Sequence, residues 1–242
     1  WVALAIIVAG IAAVVYGILA LIRGENVGVY FALFGLAAIF FFSGAHVLPT
    51  AKNNKKAIAQ EWERSISDVA ALLPEDFREH YIVIQPTSRW FFKCWREDRM
   101  SALINALSAE GYAVVLTSGP DAREKKMVDT IIAGCPQARL HSLAGQLTLR
   151  QLAAVIDHAR LFIGVDSVPM HMAAALGTPL VALFGPSKLT FWRPWQAKGE
   201  VIWAGDFGPL PDPDAINTNT DERYLDLIPT DAVIAAAKKV LA

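Results

Sequence analysis

From residue 80 onward, short apolar runs alternate with longer stretches of helical period. YIVIQ (81–85), AVVLTS (113–118), LFIGV (161–165), PLVALF (179–184) and EVIWA (200–204) read as strands, with a weaker one at ARLHS (138–142). Helices are expected across 97–110, across 121–133 before Gly134, from Thr148 to about Ala159, after Pro169, and from Thr230 to the C-terminus. GDFGPLPDPDAINTNTDE (205–222) reads as a long polar loop. Strands alternating with helices through short connections imply a parallel sheet with helices on both faces.

The first fifty residues follow a different pattern. Residues 1–22 carry no charge, Arg23-Gly24-Glu25-Asn26 interrupt, and 27–51 again carry no formal charge apart from the titratable His46. Each run reaches the ~20 residues needed to cross ~30 Å of hydrocarbon, so a two-helix transmembrane hairpin is expected over 1–51. Lys52, Lys55 and Lys56 place its C-terminal side in the cytoplasm by the positive-inside rule. Ile58, Trp62, Ile66, Val69 and Leu73 then recur at helical spacing, which gives an amphipathic linker helix within 52–79. That helix either docks on the following domain or lies along the membrane surface. The expected fold class is α/β, a Rossmann-like doubly wound parallel sheet over 80–242, preceded by the all-α hairpin.

Composition changes this picture little. The chain of 242 residues is 54% apolar and 19% charged, with a formal net charge of -1, which argues against a nucleic-acid partner. Two separated cysteines, Cys94 and Cys135, give neither a disulfide framework nor a metal cluster, so no metal is expected. The chain opens on Trp1 rather than Met, so a trimmed or assembled chain is expected.

Topology focuses attention on two loops. In the common strand order 3-2-1-4-5-6, ligands bind outside the carboxyl ends of strands 1 and 4. The loop after strand 1, PTSRWFFKCW (86–95), brings Thr87, Ser88, Arg89 and Lys93; that after strand 4, DSVPMH (166–171), brings Asp166, Ser167, Val168 and His171. Gly185-Pro186-Ser187 extends the rim after strand 5. A helix N-terminus beside cations suits a phosphate, and Asp166 suits sugar hydroxyls. Taken singly, Asp166 and Ser167 could equally cap a helix, His171 could sit satisfied beneath it, and Arg89 and Lys93 could be solvated charges. Neither a dinucleotide-binding glycine motif nor a P-loop is present.

The stretches PTSRWFFKCW, LTSGPDAREK (116–125), LAGQLTLRQLAAVIDHARLFIGVDSVPMHMAAALGTPLVALFGPS (143–187) and FWRPW (191–195) resemble the bacterial lipopolysaccharide-core heptosyltransferases. These are inverting, two-domain GT-B enzymes of glycosyltransferase family 9, and the resemblance is strongest to members adding a branching third heptose. It covers about 67–242 and implies the C-terminal, donor-binding domain. It also implies ADP-heptose as donor substrate, no separate cofactor, and lipopolysaccharide core as acceptor. Carried over, it puts Lys93 at the diphosphate and Asp166, Ser167 and His171 at the donor sugar and phosphates, with Lys93 and Asp166 as the catalytic pair. Asp121 or Glu124 would lie near the ribose or adenine.

The family's acceptor domain, which supplies the acidic base, is not recognised, so the chain is expected to be inactive alone. A chimeric or truncated chain, joined between about 51 and 65, or a membrane-tethered remnant of the family would account for the hairpin. The expected location is the bacterial inner membrane, with the α/β domain on the cytoplasmic side and other membrane subunits as partners. The alternative function is a membrane-anchored nucleotide-sugar-binding or tethering module, or a chimeric membrane subunit, without catalysis.

Overall fold

The computed structural model describes residues 57–78 and 80–242. The chain divides at Glu63/Arg64, and the unit from Arg64 to Ala242 carries the sheet. Six parallel strands form it: β1 (Tyr81–Gln85), β2 (Ala113–Leu116), β3 (Leu140–Ser142), β4 (Leu161–Val165), β5 (Leu180–Phe184) and β6 (Gly199–Trp203). Their spatial order is β3-β2-β1-β4-β5-β6, the doubly wound order expected from the alternation.

The central strands β1, β2, β4 and β5 are buried at every position, which is why they read as unbroken apolar runs rather than alternating ones. The edge strands β3 and β6 are only partly buried, and β3 is correspondingly short. Helices α2 (Glu97–Ala109), α3 (Ala122–Ala133) and α7 (Thr230–Leu241) belong to one packing group, in which α2 contacts both others; α4 (Leu149–Asp157) and α5 (Val168–Leu176) pack on each other. Trp95, Met100, Leu103, Ile104, Leu107 and Ile131 are fully buried against the sheet residues Ile82, Ile84, Val114 and Leu116.

Local chemistry sets the helix ends. The Asp121 carboxylate accepts from the backbone N–H of Arg123 at 2.8 Å and of Glu124 at 3.4 Å, capping α3. Thr148 and Gln151 form a reciprocal capping box on α4. Gly177, at φ 77°, ends α5 in the left-handed region that glycine tolerates.

The linker helix α1 runs over 57–72 and stops before Pro74. Its Val69 is buried, as is Leu73 just past its end, and its last turn is fixed by a 3.0 Å contact between the Leu72 carbonyl and His141 Nε2. Of the two placements open to this helix, its C-terminal half takes docking on the α/β unit. Ile58, assigned to the apolar stripe, is exposed.

The expected fold class needs a correction. Its α/β part is present, but among the described residues no helix is long and apolar enough to cross a membrane. The transmembrane hairpin assigned to 1–51 lies outside the described residues, whose fold class is α/β alone. α5 begins at Val168, one residue before Pro169, because proline is well accommodated in a first helical turn. The loop after β5 contains a single helical turn, α6 (Leu189–Trp192); the long polar loop contains a 3-10 turn at Pro213–Ala215, and another, Tyr224–Leu227, follows it.

Candidate functional site at the switch point

β1 pairs with β2 on one side and β4 on the other, so consecutive connections leave in opposite directions at the carboxyl ends of β1 and β4. The loops there are tied together by one carboxylate. Lys93 Nζ donates to Asp166 Oδ2 at 2.6 Å, and Ser187 Oγ donates to the same oxygen at 2.5 Å. Three loops, after β1, β4 and β5, thus converge on Asp166. Asp166 is 5% exposed and Lys93 13%, so the ion pair is largely removed from water and much less screened than a surface pair. Asp166 does not cap α5, whose N-terminus has no side-chain cap; Ser167 Oγ turns back to the Val165 carbonyl at 3.1 Å. That leaves the cap reading of Asp166-Ser167 without support.

Lys93 sits in a short 3-10 turn, Phe91–Lys93, walled by aromatic rings. Its Nζ is 5.0 Å from the Trp90 ring centroid and 6.0 Å from that of Phe92. Both distances are within cation–π range. The turn is held from inside by Cys94, whose sulfur accepts from the Ser88 backbone N–H at 3.3 Å. Burial pushes the Cys94 thiol up to about 11, so it is a packing group and not a nucleophile.

A second polar chain runs beside the first. Thr117 Oγ1 donates to Gln85 Oε1 at 2.6 Å, Gln85 Nε2 donates to Thr87 Oγ1 at 2.9 Å, and Thr87 Oγ1 donates to Glu124 Oε2 at 2.5 Å. The Gly119 backbone N–H donates to the same Glu124 oxygen at 3.0 Å. Gln85, Thr87 and Thr117 are buried, so this network is a satisfied polar core that fixes Glu124 at the rim of the same strand ends.

The structure therefore joins Lys93, Asp166 and Ser187 directly, and Thr87 with Glu124 directly. Ser88 is buried in the turn, Gly185 and Pro186 are buried, and Trp203 Nε1 donates to the Gly185 carbonyl at 3.0 Å. Ser167 and His171 are half-buried on the first turn of α5, Val168 is exposed, and Arg89 is exposed. Asp121 does not join the cluster: its carboxylate is engaged by the α3 backbone.

Gln85 and Thr117 escaped the sequence reading, although a glutamine closing an otherwise apolar buried strand is a legible signal. So did the D-x-D string Asp212-Pro213-Asp214. Asp212 accepts from the Asp214 backbone N–H at 3.0 Å and Asp214 pairs with Lys188 at 2.5 Å, so both carboxylates stabilise the loop. Of two cavities among the described residues, the first lies away from the site and the second borders the Lys93 turn through Phe91. One, of about 520 Å³, opens between Glu110, Tyr112, Arg139 and Arg160 at the amino ends of the strands, and one of about 330 Å³ lies between Arg123, Lys126 and Arg223.

Fold and side chains together define a doubly wound α/β domain with a charged, hydroxyl-lined cluster at its switch point, a candidate binding face. The chain belongs to glycosyltransferase family 9 (heptosyltransferase), whose model matches residues 36–221. It is 50% identical over 163 residues to lipopolysaccharide heptosyltransferase 3 of Escherichia coli, covering 67% of this chain and 47% of that one. To lipopolysaccharide heptosyltransferase 3 of Escherichia coli strain K12 it is 44% identical over 180 residues, covering 74% of this chain and 51% of that one. Among solved structures it is similar to E. coli ADP-heptose lps heptosyltransferase II, with a TM-score of 0.58, 26% identity, and coverage of 74% and 51%.

The chain spans about half the length of the curated relatives it matches. The family match begins at residue 36, inside the second apolar run. It therefore extends well before the start near 67 given by the resemblance. Neither a chimera nor a membrane anchor is supported.

Proposed function

We propose that this chain holds the donor nucleotide in heptosyl transfer to the lipopolysaccharide core, binding ADP-heptose across the carboxyl ends of β1 and β4. The observation that carries this reading is the convergence of three loops on Asp166, with Lys93 and Ser187 on one of its oxygens. The proposed branching third heptose as product rests on the likeness to the heptosyltransferase 3 relatives.

In this reading the diphosphate lies against Lys93 Nζ and the N-terminus of α5, where backbone N–H groups and the helix dipole favour an anion. Lys93 then shares its charge between Asp166 and the phosphates. It offsets the charge that grows on ADP as the glycosidic C–O bond breaks. Asp166, engaged through Oδ2, offers Oδ1 to a donor-sugar hydroxyl, and His171 stands one turn along α5. Glu124, engaged through Oε2, offers Oε1 to the ribose. Arg89, exposed at the rim, adds charge at the phosphate side.

In this reading both Asp166 and Glu124 serve the donor, each with one oxygen already held by its protein partners. Proton removal from the acceptor hydroxyl needs a base within ~3 Å of it, so we propose that this 242-residue chain binds the donor but does not transfer heptose by itself. This absence of transfer is also what a purely binding module would show, and the engaged carboxylates favour that second reading for the isolated chain. Calorimetric titration with ADP-heptose, with ADP as competitor, tests the binding claim. Heat that ADP abolishes and UDP does not supports it; absence of heat up to millimolar ligand removes it. Incubation with ADP-heptose and truncated core lipopolysaccharide, read by mass spectrometry of the lipid, tests the second claim. A heptose-sized gain in mass contradicts it.

A further inference from the structure

The segment just after the long polar loop touches two of the three loops that meet at Asp166, those after β1 and β5. Arg223 Nη1 donates to the Trp95 carbonyl at 3.1 Å, and its Nη2 donates to Glu97 at 2.9 Å. The guanidinium also lies 5.2 Å from the Phe91 ring centroid, and Arg123 covers the same ring at 3.7 Å. Arg223 thereby contacts both sides of the short 91–95 stretch that carries Lys93. The next residue, Tyr224, meets Phe92 edge-on at 6.3 Å. Leu225, fully buried, reaches the other loop: a Cβ placed on Gly185 would come within 2.8 Å of its Cδ1.

We propose that Arg223-Tyr224-Leu225 is a strap that sets the position of Lys93, with Arg223 as the positioning residue. The strap contacts the β1 loop through Phe91, Phe92, Trp95 and Glu97, and the β5 loop through Gly185. Lys93 and Ser187, the two groups that hold Asp166, belong to those same loops. Arg223 touches neither Lys93 nor Asp166, so it acts through the backbone it holds. At 17% exposure its two charge-assisted bonds are worth more than surface contacts. Releasing Arg223 frees the Phe91–Lys93 turn, and the ammonium then samples positions away from Asp166. An ADP-binding readout of the strap rests on the proposed donor site, whereas a lysine-labelling readout does not.

The full chain is acetylated with an N-hydroxysuccinimide ester, and each lysine is quantified by mass spectrometry. In Arg223→Ala, and in Arg223→Met, which keeps the aliphatic cover over Phe91, Lys93 should react faster by about fivefold, the effect of ~1 kcal/mol of lost restraint. Lys125 and Lys198, both exposed, should be unchanged. An unchanged Lys93 rate overturns the proposal, as does a uniform rise at all three lysines in both variants, which marks general loosening.

ADP affinity supplies the second readout. Arg223→Ala should weaken it about tenfold where Lys93 is present but less than about twofold on a Lys93→Ala background. Equal losses on both backgrounds overturn the coupling. Faster Lys93 labelling in a chain that binds no ADP at all keeps the strap and removes the donor reading.

Discussion

Asp166 Oδ2 receives two hydrogen bonds, from Lys93 at 2.6 Å and from Ser187 at 2.5 Å, and these close the carboxyl end of the sheet over β1, β4 and β5. The pair is nearly buried, so it is a costly arrangement if it serves stability alone. Hydrophobic replacements of buried ion pairs are often neutral or stabilising. A lysine and a carboxylate held together at a switch point are better explained by a ligand whose phosphates the lysine meets.

Lys93→Ala should weaken ADP binding more than AMP binding. Lys93 is assigned to the diphosphate, and AMP lacks the second phosphate. A charge-assisted contact of this kind contributes ~1.5–3 kcal/mol, or roughly ten- to a hundredfold in affinity. Calorimetry with both nucleotides checks it; equal losses would move Lys93 away from the diphosphate.

Asp166→Asn should destabilise the fold by about 3 kcal/mol, because it leaves the Lys93 ammonium largely buried without its counter-ion. Lys93→Met together with Asp166→Asn should recover part of that loss. Urea denaturation of the two variants measures it, and a double variant no more stable than the single one would sink the explanation.

Cys94 predicts an alkaline limit to stability. Its folded-state value is raised from the usual 9.0 to about 11, with burial as the main cause. A raised folded value means that the native state holds the proton longer than the unfolded chain. This contribution is intact below pH 9.0 and is lost as pH rises toward 11. Cys94→Ser should flatten the fall in stability between those limits relative to the parent chain. Tyr81, raised by burial as well, remains in both chains and cancels from the comparison. Parallel pH profiles for the two chains would contradict the assignment.

Gly199→Ala should disrupt the β5–β6 edge. Gly199 has φ 137°, a region closed to residues with a side chain, and an added Cβ would collide with the Leu180 carbonyl oxygen that flanks the strand pairing. A loss of ~2–4 kcal/mol is expected in thermal unfolding, while Gly177→Ala, whose Cβ would meet nothing within 4 Å, should cost less. A Gly199→Ala chain as stable as the parent would contradict the placement of β6.

The sheet was legible because its central strands are buried on both faces, which writes LFIGV and LVALF as continuous apolar runs. The site was legible in position, since the strand order points to the loops after β1 and β4. Its wiring was not. No spacing rule connects Lys93 to Asp166, 73 residues away, or Thr87 to Glu124, 37 away. Asp121 caps α3, and a helix-capping aspartate and a ligand-binding one look alike before a helix in sequence. Arg223 was hidden at the end of a stretch rich in proline and aspartate, where no element pattern marks it. Its role appears only when the loop folds back onto Phe91.

The most direct test of the central claim is backbone hydrogen exchange, read by mass spectrometry on the full chain with and without millimolar ADP. A donor nucleotide at the switch point should protect peptides containing 86–95, 118–125, 166–173 and 185–188, and leave the opposite end of the sheet unchanged. Protection centred on 75–80 and 110–112, beside the cavity at the amino ends of the strands, would contradict the account. So would no protection anywhere.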